Sequence, residues 1–490
     1  MLTWMSMHQS APDSWAAAQF RGTRLGHCAR RRRLIAYAQA LAEQPGKMIP
    51  ELFTRKYDID ATYDLLDRHE VTPDAVQAGH RGLVKAEMRS PGRYLLIEDT
   101  TFPSYSHRKQ AVPGLGPIGG SEEGQQGFLL HSVLAVRAPL PARPNASGRR
   151  PPVTILGLID QQYLVRSPRP EAKSKQAVSR QRTERDRESD RWLESSRRIG
   201  PAPADPEIRW VRVADREADI YEYLQECRER NHGFLVRVNQ DRVILDPSSD
   251  KRLGLVFEHI AGVEPCGGMY LDLRSREGQK PRRARLLVSC GPVRVRAPER
   301  PGSTAGTNPP IDCWFIRIWE PDPPEGVEAL EWVLYADEPT ETLEAALVGA
   351  MDYATRFLIE EFHKGLKTGL KAEELQLETG HRLFAAIAVM SIVALRLLDL
   401  RELGRAVPEA PAKVSGLSDL ELELLSLAVN RTLTTVASVL LAVGRLGGHM
   451  NRKSDGMPGW ITLWRGMKTL RFLVRGAELE RTRNDKHVHT

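Results

Sequence analysis

Apolar residues recur along the chain with two different spacings, which separate helical from strand-rich stretches. From residue 14 to about residue 90 they recur at helical spacing. Between Phe234 and Tyr335 the period changes to two, and Gly/Pro turns separate the apolar runs, which is typical of strands. Helical spacing returns from Leu343 to about Leu370 and again from His381 to Leu403. The pattern therefore predicts helices at both ends of the chain and a β-rich region between them.

Further strands are expected between the first helices and the β-rich region. The apolar runs that predict them are Tyr94 to Ile97, Phe128 to Val136, Ile155 to Asp160 and Trp210 to Asp215. The last of these precedes a helical pattern from Ala218 to Arg230. The first of these runs leads to Asp99, and the last ends in Asp215.

The long apolar stretch Leu383 to Leu398 predicts a buried helix, because it is too short and too close to charges for a membrane span. Met1 to Met7 lacks the basic and apolar parts of a secretion signal. The five cysteines are scattered, never in a Cys-x-x-Cys pair, which argues against a disulfide framework and against a zinc knuckle. We therefore expect a protein of the reducing cytoplasm.

The distribution of charge along the chain is more informative than the net charge. The chain carries 70 Lys and Arg residues and 63 Asp and Glu residues, and the formal net charge of +7 allows a polyanionic partner without requiring one. Six arginines crowd the first helical region: Arg21, Arg24, Arg30, Arg31, Arg32 and Arg33. Two interpretations stay open, a solvated helix end or a DNA-binding helix whose arginines neutralise phosphates and read guanine edges.

A second group of charges lies on one predicted helix. At about 100° per residue, six side chains share an arc of roughly 100°. They are Tyr353, Arg356, Glu360, His363, Lys364 and Lys367. This mixture cannot be a core stripe, but the residues alone leave open a solvated face with pairs such as Glu360 and Lys364, or an internal salt-bridge network.

The two strand-end aspartates give that helix a candidate role. Either aspartate alone could be a turn or helix cap. Together with Glu360, however, Asp99 and Asp215 supply the hard oxygen ligands that suit Mg²⁺. Two such ions can activate a nucleophile and stabilise the leaving oxygen of a phosphodiester. Arg356, Lys364 and Lys367 could then hold the phosphates beside the scissile bond.

These segments resemble a known catalytic motif. Ile97-Glu98-Asp99-Thr100-Thr101, Asp215-Arg216-Glu217-Ala218-Asp219-Ile220 and Tyr353-x2-Arg356-x3-Glu360-x6-Lys367 are similar to the three parts of the DDE motif in bacterial cut-and-paste insertion-sequence transposases of the Tyr-Arg-Glu-Lys signature group. The similarity covers nearly the whole chain, from Leu25-Gly26 to Leu463-Trp464.

The resemblance implies an α/β fold with an RNase H-like, retroviral-integrase-like catalytic core. That core is interrupted by a β-rich insertion and flanked by helical domains. The implied domains are 1–90 for transposon-end binding, 91–400 for catalysis with the insertion at about 236–340, and 401–490 for dimerisation. From sequence alone, the leucines of the last region equally suit an intramolecular helix bundle. They are Leu417, Leu420, Leu424, Leu427 and Leu433.

The resemblance also implies a cofactor and a reaction. Asp99, Asp215 and Glu360 are expected to ligate two Mg²⁺ or Mn²⁺ ions, with no small-molecule cofactor. The expected steps are nicking at each transposon end, hairpin formation, hairpin opening and strand transfer into target DNA. The partners are double-stranded DNA, as terminal inverted repeats and target, and a second copy in a synaptic homodimer. No membrane partner is expected, and the location is the cytoplasm at the nucleoid.

The family's DNA contacts map onto named positions. Tyr353, Arg356, Lys364 and Lys367 match residues that hold the terminal phosphates and a flipped base, and Trp332 matches a tryptophan that stacks on that base. The further DNA-contact positions are Arg237, Arg33, Arg30 and His363. Trp332 could instead be a core aromatic of the insertion, and His363 a structural hydrogen-bonding group. A catalytically silent DNA-binding protein and a simple metal-dependent nuclease remain the alternatives.

Overall fold

The structure, a computed structural model, describes residues 15–119, 125–140, 143–145, 147–167, 188–273, 280–298, 308–452 and 455–488. The expectation for Met1 to Met7 lies outside these residues. The helices are α1 Trp15–Phe20, α2 Cys28–Glu43, α3 Ile49–Leu52, α4 Lys56–Asp67, α5 Pro73–Glu87, α6 188–199, α7 Tyr221–Glu229, α8 Val256–Ala261, α9 Leu343–Thr355, α10 Phe357–Lys364, α11 Gly380–Ala406, α12 Asp419–Val429, α13 Val436–Leu446 and α14 Trp460–Val488.

The described strands are β1 Gly92–Thr101, β2 Gly116–Pro117, β3 Gln126–Gly127, β4 Leu129–Ala138, β5 Thr154–Leu164, β6 Ile208–Ala214, β7 Gly233–Arg237, β8 Val243–Leu245, β9 Arg252–Leu255, β10 Gly267–Leu273, β11 Arg282–Val295, β12 Ile311–Trp319 and β13 Glu331–Ala336. Each of the four strands predicted upstream of the β-rich region is present, as β1, β4, β5 and β6. The alternating region from Phe234 onward also forms strands, which confirms the predicted change of period.

One large mixed sheet holds most of these strands. Its order is β5-β4-β1-β6-β7-β13-β12-β11-β8-β9, with β10 paired to β11. In the first half β1 runs antiparallel to β4 and parallel to β6, and β7 is parallel to β6. The strands from β8 to β13 continue the same sheet beyond β7 through antiparallel pairing of β7 with β13. The β-rich region is therefore an extension of the central sheet.

Side chains of β1 are buried on both faces of the sheet. Leu95 and Ile97 belong to the core that α9, α10 and α11 cover. Tyr94 and Leu96 pack on the opposite side, in a cluster with residues of α5 and β6. A strand buried on both faces reads as a continuous apolar run, which is why β1 was recognisable in the sequence.

The apolar stretch Leu383 to Leu398 forms the middle of α11. By length and composition this helix could cross a membrane, but 82% of its most apolar window is buried inside the protein. It packs against β5 and α5, and also against α10, α13 and α14. The expected buried helix is therefore observed, and α11 links the central sheet to the C-terminal helices.

The C-terminal helices pack partly on each other. Leu417 and Leu425 join Val439, Leu440 and Leu463 in a separate buried cluster. Leu427, in contrast, is 69% exposed on α12. Of the leucines considered above, some therefore serve an intramolecular bundle, and Leu427 stays on the surface.

The predicted helix from Leu343 to about Leu370 is interrupted. α9 ends at Thr355, α10 begins at Phe357, and a π-helical turn follows over Gly365–Gly369. At the junction the amide of Arg356 donates to the carbonyl of Tyr353 at 2.9 Å. This bond spans three residues, as in a 3₁₀-helix, whereas an α-helical bond spans four. The six-residue arc therefore belongs to two helices and a turn, and its members do not keep the positions of one straight helix.

Candidate active site

The pairing of β1 with β6 brings two carboxylates to one edge of the sheet. Ile97 pairs with Val213 in parallel register, and each lies two residues before an aspartate. Asp99 and Asp215 therefore sit side by side at the carboxyl ends of neighbouring parallel strands. Asp215 also caps the short 3₁₀ turn Arg216–Ala218, since its Oδ1 accepts from the Glu217 amide at 2.9 Å. The capping role and a role in the site therefore coexist at Asp215.

The carboxyl group of Asp99 is affected by the charges of the other two carboxylates. Burial raises its pKa to about 7; the charge of Arg356 opposes this rise, and the charges of Asp215 and Glu360 reinforce it. The Thr100 amide donates to Asp99 Oδ1 at 2.8 Å, which also stabilises the carboxylate. The three acids that are far apart in the chain therefore lie close enough to affect one another. A cation placed among them would relieve this repulsion.

Arg356 is the cation nearest to this group. Its guanidinium forms an ion pair with Glu360, one helical turn later, and Nη1 lies 3.6 Å from Asp99 Oδ2. In the part of the chain that the structure describes, no three His, Cys, Asp or Glu side chains are arranged as a finished metal site. The donors are nevertheless carboxylate oxygens, which Mg²⁺ and Mn²⁺ prefer. Their chemistry fits such an ion once Arg356 releases Glu360.

An aromatic and basic corner lies beside the carboxylates. The rings of Trp332 and Tyr353 meet edge to face, with 5.1 Å between centroids and 71° between planes. Arg237, at the end of β7, donates from Nη2 to the Glu331 carbonyl at 3.0 Å and thus stays next to Trp332. Trp332 is only partly buried, so its ring is not enclosed as a core aromatic would be.

Trp332 also lines a cavity of about 770 Å³ between the β-rich region, α9 and the C-terminal helices. Met351 and Phe357 contribute to the same cavity, and Leu440 and Met457 contribute from the C-terminal region. Phe357 is 57% exposed at its mouth. A cavity of this size with aromatic side chains at its entrance can accept a flat ring.

The remaining members of the arc differ in exposure. Lys364 is exposed and forms no ion pair with a described residue. Lys367 donates from Nζ to the Phe102 carbonyl at 3.1 Å and pairs with Glu373 at the same distance. Tyr353 is only 4% exposed. The arc is thus neither a fully solvated face nor a closed salt-bridge network.

His363 lies inside the protein. It is 5% exposed, and burial is the main cause that lowers its pKa to about 3. Its neighbours Ile359 and Phe362 are buried as well, since they belong to the apolar face of α10. His363 stands next to that face, at the edge of the arc. A neutral, enclosed imidazole is poorly placed for the DNA contact that the sequence led us to expect. We therefore leave His363 out of the DNA-binding surface.

Arg30 and Arg33 in α2 are both engaged within the first helical region. Arg30 Nη1 pairs with Glu70 at 2.8 Å and also donates to the Leu25 carbonyl at 3.1 Å. Arg33 Nη2 pairs with Asp58 at 2.8 Å. By contrast, Arg24, Arg31 and Arg32 form no ion pair with a described residue. The structure thus divides the arginine run into paired and available members.

Sequence reasoning missed a buried polar network next to the site. Glu98, which directly precedes Asp99, is fully buried with Arg212 of β6, whose Nε donates to Glu98 Oε1 at 2.9 Å. His131 Nε2 lies 3.4 Å from Glu98, and Tyr223 donates its hydroxyl to the same carboxylate. Burial tends to raise the pKa of Glu98, but Arg212 and His131 lower it to about 2. The sequence signal that could have revealed this network is one acidic residue and one basic residue, each within an otherwise apolar strand.

The network reaches the aspartates through Arg191 of α6. Arg191 Nε donates to Thr100 Oγ1 at 2.9 Å, beside Asp99, and Nη2 donates to Glu217 Oε2 at 2.6 Å, beside Asp215. Thr100 Oγ1 also lies 3.0 Å from His131 Nδ1. A single buried guanidinium therefore connects the two strand ends that carry the carboxylates.

Two family models match the ends of the chain. A model described as transposase DNA-binding matches residues 12–71, and a model described as Transposase Tn5 dimerisation domain matches residues 392–486. The matches support a DNA transposase, an enzyme that cleaves DNA and transfers strands, with a DNA-binding unit at one end and a dimerisation unit at the other. The second description names Tn5, so the chain resembles Tn5 transposase over residues 392–486.

Proposed function

We propose that this transposase moves an insertion sequence by a cut-and-paste mechanism, with Asp99, Asp215 and Glu360 as its DDE catalytic residues. The observation that carries the proposal is the parallel register of β1 and β6, which places Asp99 and Asp215 side by side within reach of the Glu360 charge. This arrangement occurs between flanking regions that resemble the DNA-binding and dimerisation domains of a transposase.

The order of the five strands at one end of the large sheet supports an RNase H-like core. Three antiparallel strands, β5, β4 and β1, are followed in the sheet by β6 and β7, which run parallel to β1. Helices cover both faces of this part of the sheet. The strands beyond β7 correspond to the proposed insertion, and they place Trp332 next to Tyr353 of α9.

Asp99, Asp215 and Glu360 would hold two Mg²⁺ or Mn²⁺ ions, with Arg356 moving from Glu360 to a DNA phosphate. When bound, these ions would activate the attacking oxygen and stabilise the leaving oxygen of an in-line displacement at phosphorus. Arg356, Lys364 and Lys367 would hold the phosphates beside the scissile bond, and Arg237 would hold a further one. Nicking, hairpin formation, hairpin opening and strand transfer could then use one site with different nucleophiles.

The partners of this function are DNA and a second copy of the chain. Each transposon end would be bound by the N-terminal region of one protomer and cut by the active site of the other. Phe472 and Leu479 lie seven residues apart on α14 and are 56% and 65% exposed, so two apolar side chains are uncovered on one face of this helix, where a second copy could pack. We place the protein inside the cell, in the cytoplasm at the nucleoid.

Incubation of the purified protein with Mg²⁺ and a labelled DNA fragment that carries its own flanking inverted repeat tests the proposal. We expect a hairpin-ended product, because the freed 3′-hydroxyl attacks the opposite strand at the same site. Denaturing electrophoresis distinguishes the hairpin from a nicked strand. Nicks without hairpins would indicate a simple nuclease, and a shifted but uncut fragment would indicate a silent DNA-binding protein.

Trp332→Ala is expected to slow hairpin formation by about tenfold or more while changing the first nick much less. The reason is that a strained hairpin needs an extruded base, and stacking of one base on an aromatic ring contributes about 1–3 kcal/mol. Single-turnover rates of both steps provide the measurement. Trp319→Ala is the control, because Trp319 on β12 pairs with Glu331, next to Trp332, and its side chain therefore lies on the opposite face of the sheet from that of Trp332. Equal slowing of both steps would show that Trp332 is only structural.

A further inference from the structure

Two cysteine thiols lie side by side in the β-rich region. The Sγ atoms of Cys266 and Cys290 are 3.7 Å apart. Cys266 directly precedes β10, and its amide donates to the carbonyl of Val288 at 2.9 Å, so its backbone is held against β11 two residues before Cys290. All five cysteines lie within the described residues, and these two form the one thiol pair in contact among them.

The two thiols differ in their surroundings. Cys266 is exposed, whereas Cys290 is only partly accessible and its Sγ lies 3.7 Å from the carbonyl oxygen of Thr342. Burial raises the pKa of the Cys290 thiol, and the neighbouring Cys266 and Glu341 add to the rise. Cys290 therefore stays protonated at neutral pH, and Cys266 is the thiol that a dissolved oxidant meets first.

The thiol pair lies where β10 and β11 meet the start of α9. Thr342 is the N-cap of α9, and its hydroxyl oxygen accepts from the Ala345 amide at 3.2 Å. Gly267, next to Cys266, packs so closely on α9 that an added Cβ would lie 2.5 Å from Cδ2 of Leu343. A bond between the two sulfurs would therefore tie β10 to β11 beside the first turn of the helix that leads to the candidate active site.

Two neighbouring thiols suit either a soft metal ion or a disulfide. A structural Zn²⁺ ion usually takes four protein ligands. Within the described parts of the chain, no three His, Cys, Asp or Glu side chains are grouped to hold a metal ion, so the pair has no third ligand there. A disulfide needs only the two sulfurs. Its S–S bond is about 2 Å long, so the sulfurs must approach by roughly 1.7 Å, which rotation of the side chains can supply.

We propose that Cys266 and Cys290 are a redox-sensitive dithiol, which hydrogen peroxide converts to a reversible disulfide within the chain. The Cys266 thiolate attacks one peroxide oxygen; an S–O bond forms, the O–O bond breaks, and the released oxygen leaves as water. The Cys290 sulfur then attacks the sulfenic sulfur of Cys266; the S–S bond forms, the S–O bond breaks, and the departing hydroxide takes the Cys290 proton. The two thiols lose two electrons, and the peroxide becomes two waters.

This inference is independent of the proposed function, because its test needs neither DNA nor a metal ion. The full-length protein is treated with hydrogen peroxide, alkylated, digested with trypsin without reductant and analysed by mass spectrometry. We expect peptides 253–274 and 286–294 to appear as one linked species, two hydrogens lighter than their sum. Alkylation of Cys266 should fall by about tenfold after oxidation, and dithiothreitol should restore it. Failure to form the linked species, with Cys266 still oxidised, would overturn the proposal.

Cys290→Ser and Cys28 provide the matched controls. Without the second thiol, Cys266 in Cys290→Ser should remain as a sulfenic acid that dimedone labels, whereas the wild type should show little label at this position. Cys28 is exposed as well, but the described residues place no second thiol beside it. Its peptide should therefore take up dimedone in both proteins. Equal labelling of Cys266 in the two proteins, or linkage of Cys266 to Cys28 as often as to Cys290, would refute the pairing.

Discussion

Glu360→Gln is expected to reduce DNA cleavage by at least about 10³-fold while leaving transposon-end binding unchanged. The substitution keeps the shape of the side chain but removes the negative charge that acts on Asp99. A metal-held transition state gains several kcal/mol from the ions, and about 1.4 kcal/mol corresponds to a factor of ten in rate. Loss of one of three carboxylate ligands therefore affects catalysis far more than folding. Single-turnover cleavage and gel-shift affinity measure the two quantities separately.

Glu344→Gln provides the control for this substitution. Glu344 lies on the adjacent helix α9 and is 61% exposed in an ion pair with Arg143, so the same chemical change occurs away from the carboxylates. Its cleavage rate should match that of the wild type. If Glu360→Gln cleaved as fast as Glu344→Gln, the assignment of Glu360 as a metal ligand would be wrong.

The strand ends of the candidate site could be read from the hydrophobic pattern, whereas their proximity was expected only from the resemblance to the DDE motif. Both apolar runs, Tyr94 to Ile97 and Trp210 to Asp215, form strands. β6 ends one residue before Asp215, and β1 extends beyond its run at both ends, from Gly92 to Thr101. Strand order and direction depend on contacts between segments more than a hundred residues apart, and hydrophobic period carries no information about them. Only the observed register shows that Asp99 and Asp215 are neighbours.

Side-chain pairing was the other property that sequence could not supply. Arg30 and Arg33 lie in a run of arginines that looks uniform, yet Glu70 and Asp58 engage these two and leave Arg32 exposed. The break between α9 and α10 likewise follows from a local change in backbone hydrogen bonding at Arg356. Hydrophobic periodicity does not detect this change and predicts an uninterrupted helix there. Sequence therefore located the charged surfaces, and tertiary contacts decide which members of each are held in ion pairs within the protein.

Arg212→Met should destabilise the protein by about 3–5 kcal/mol, because it leaves Glu98 buried without its cationic partner. Both side chains are fully buried, and Glu98 also accepts the hydroxyl of Tyr223. The low pKa of Glu98 depends chiefly on Arg212 among the groups that counter its burial, so folding without that charge requires a buried carboxylate to take up a proton. Denaturant unfolding at neutral pH measures the loss.

The double variant Glu98→Leu with Arg212→Met distinguishes a lost ion pair from lost packing. It removes both charges, so it should be more stable than Arg212→Met alone, although Tyr223 and His131 then lose their carboxylate partner. Asp99 follows Glu98 directly, and Arg191 connects Thr100 with Glu217. We therefore expect the double variant to fold but to cleave DNA more slowly than the wild type, since the strand end that carries Asp99 is less firmly held. A double variant no more stable than Arg212→Met would show that the cost comes from packing around Arg212, and that the buried charge of Glu98 contributes little.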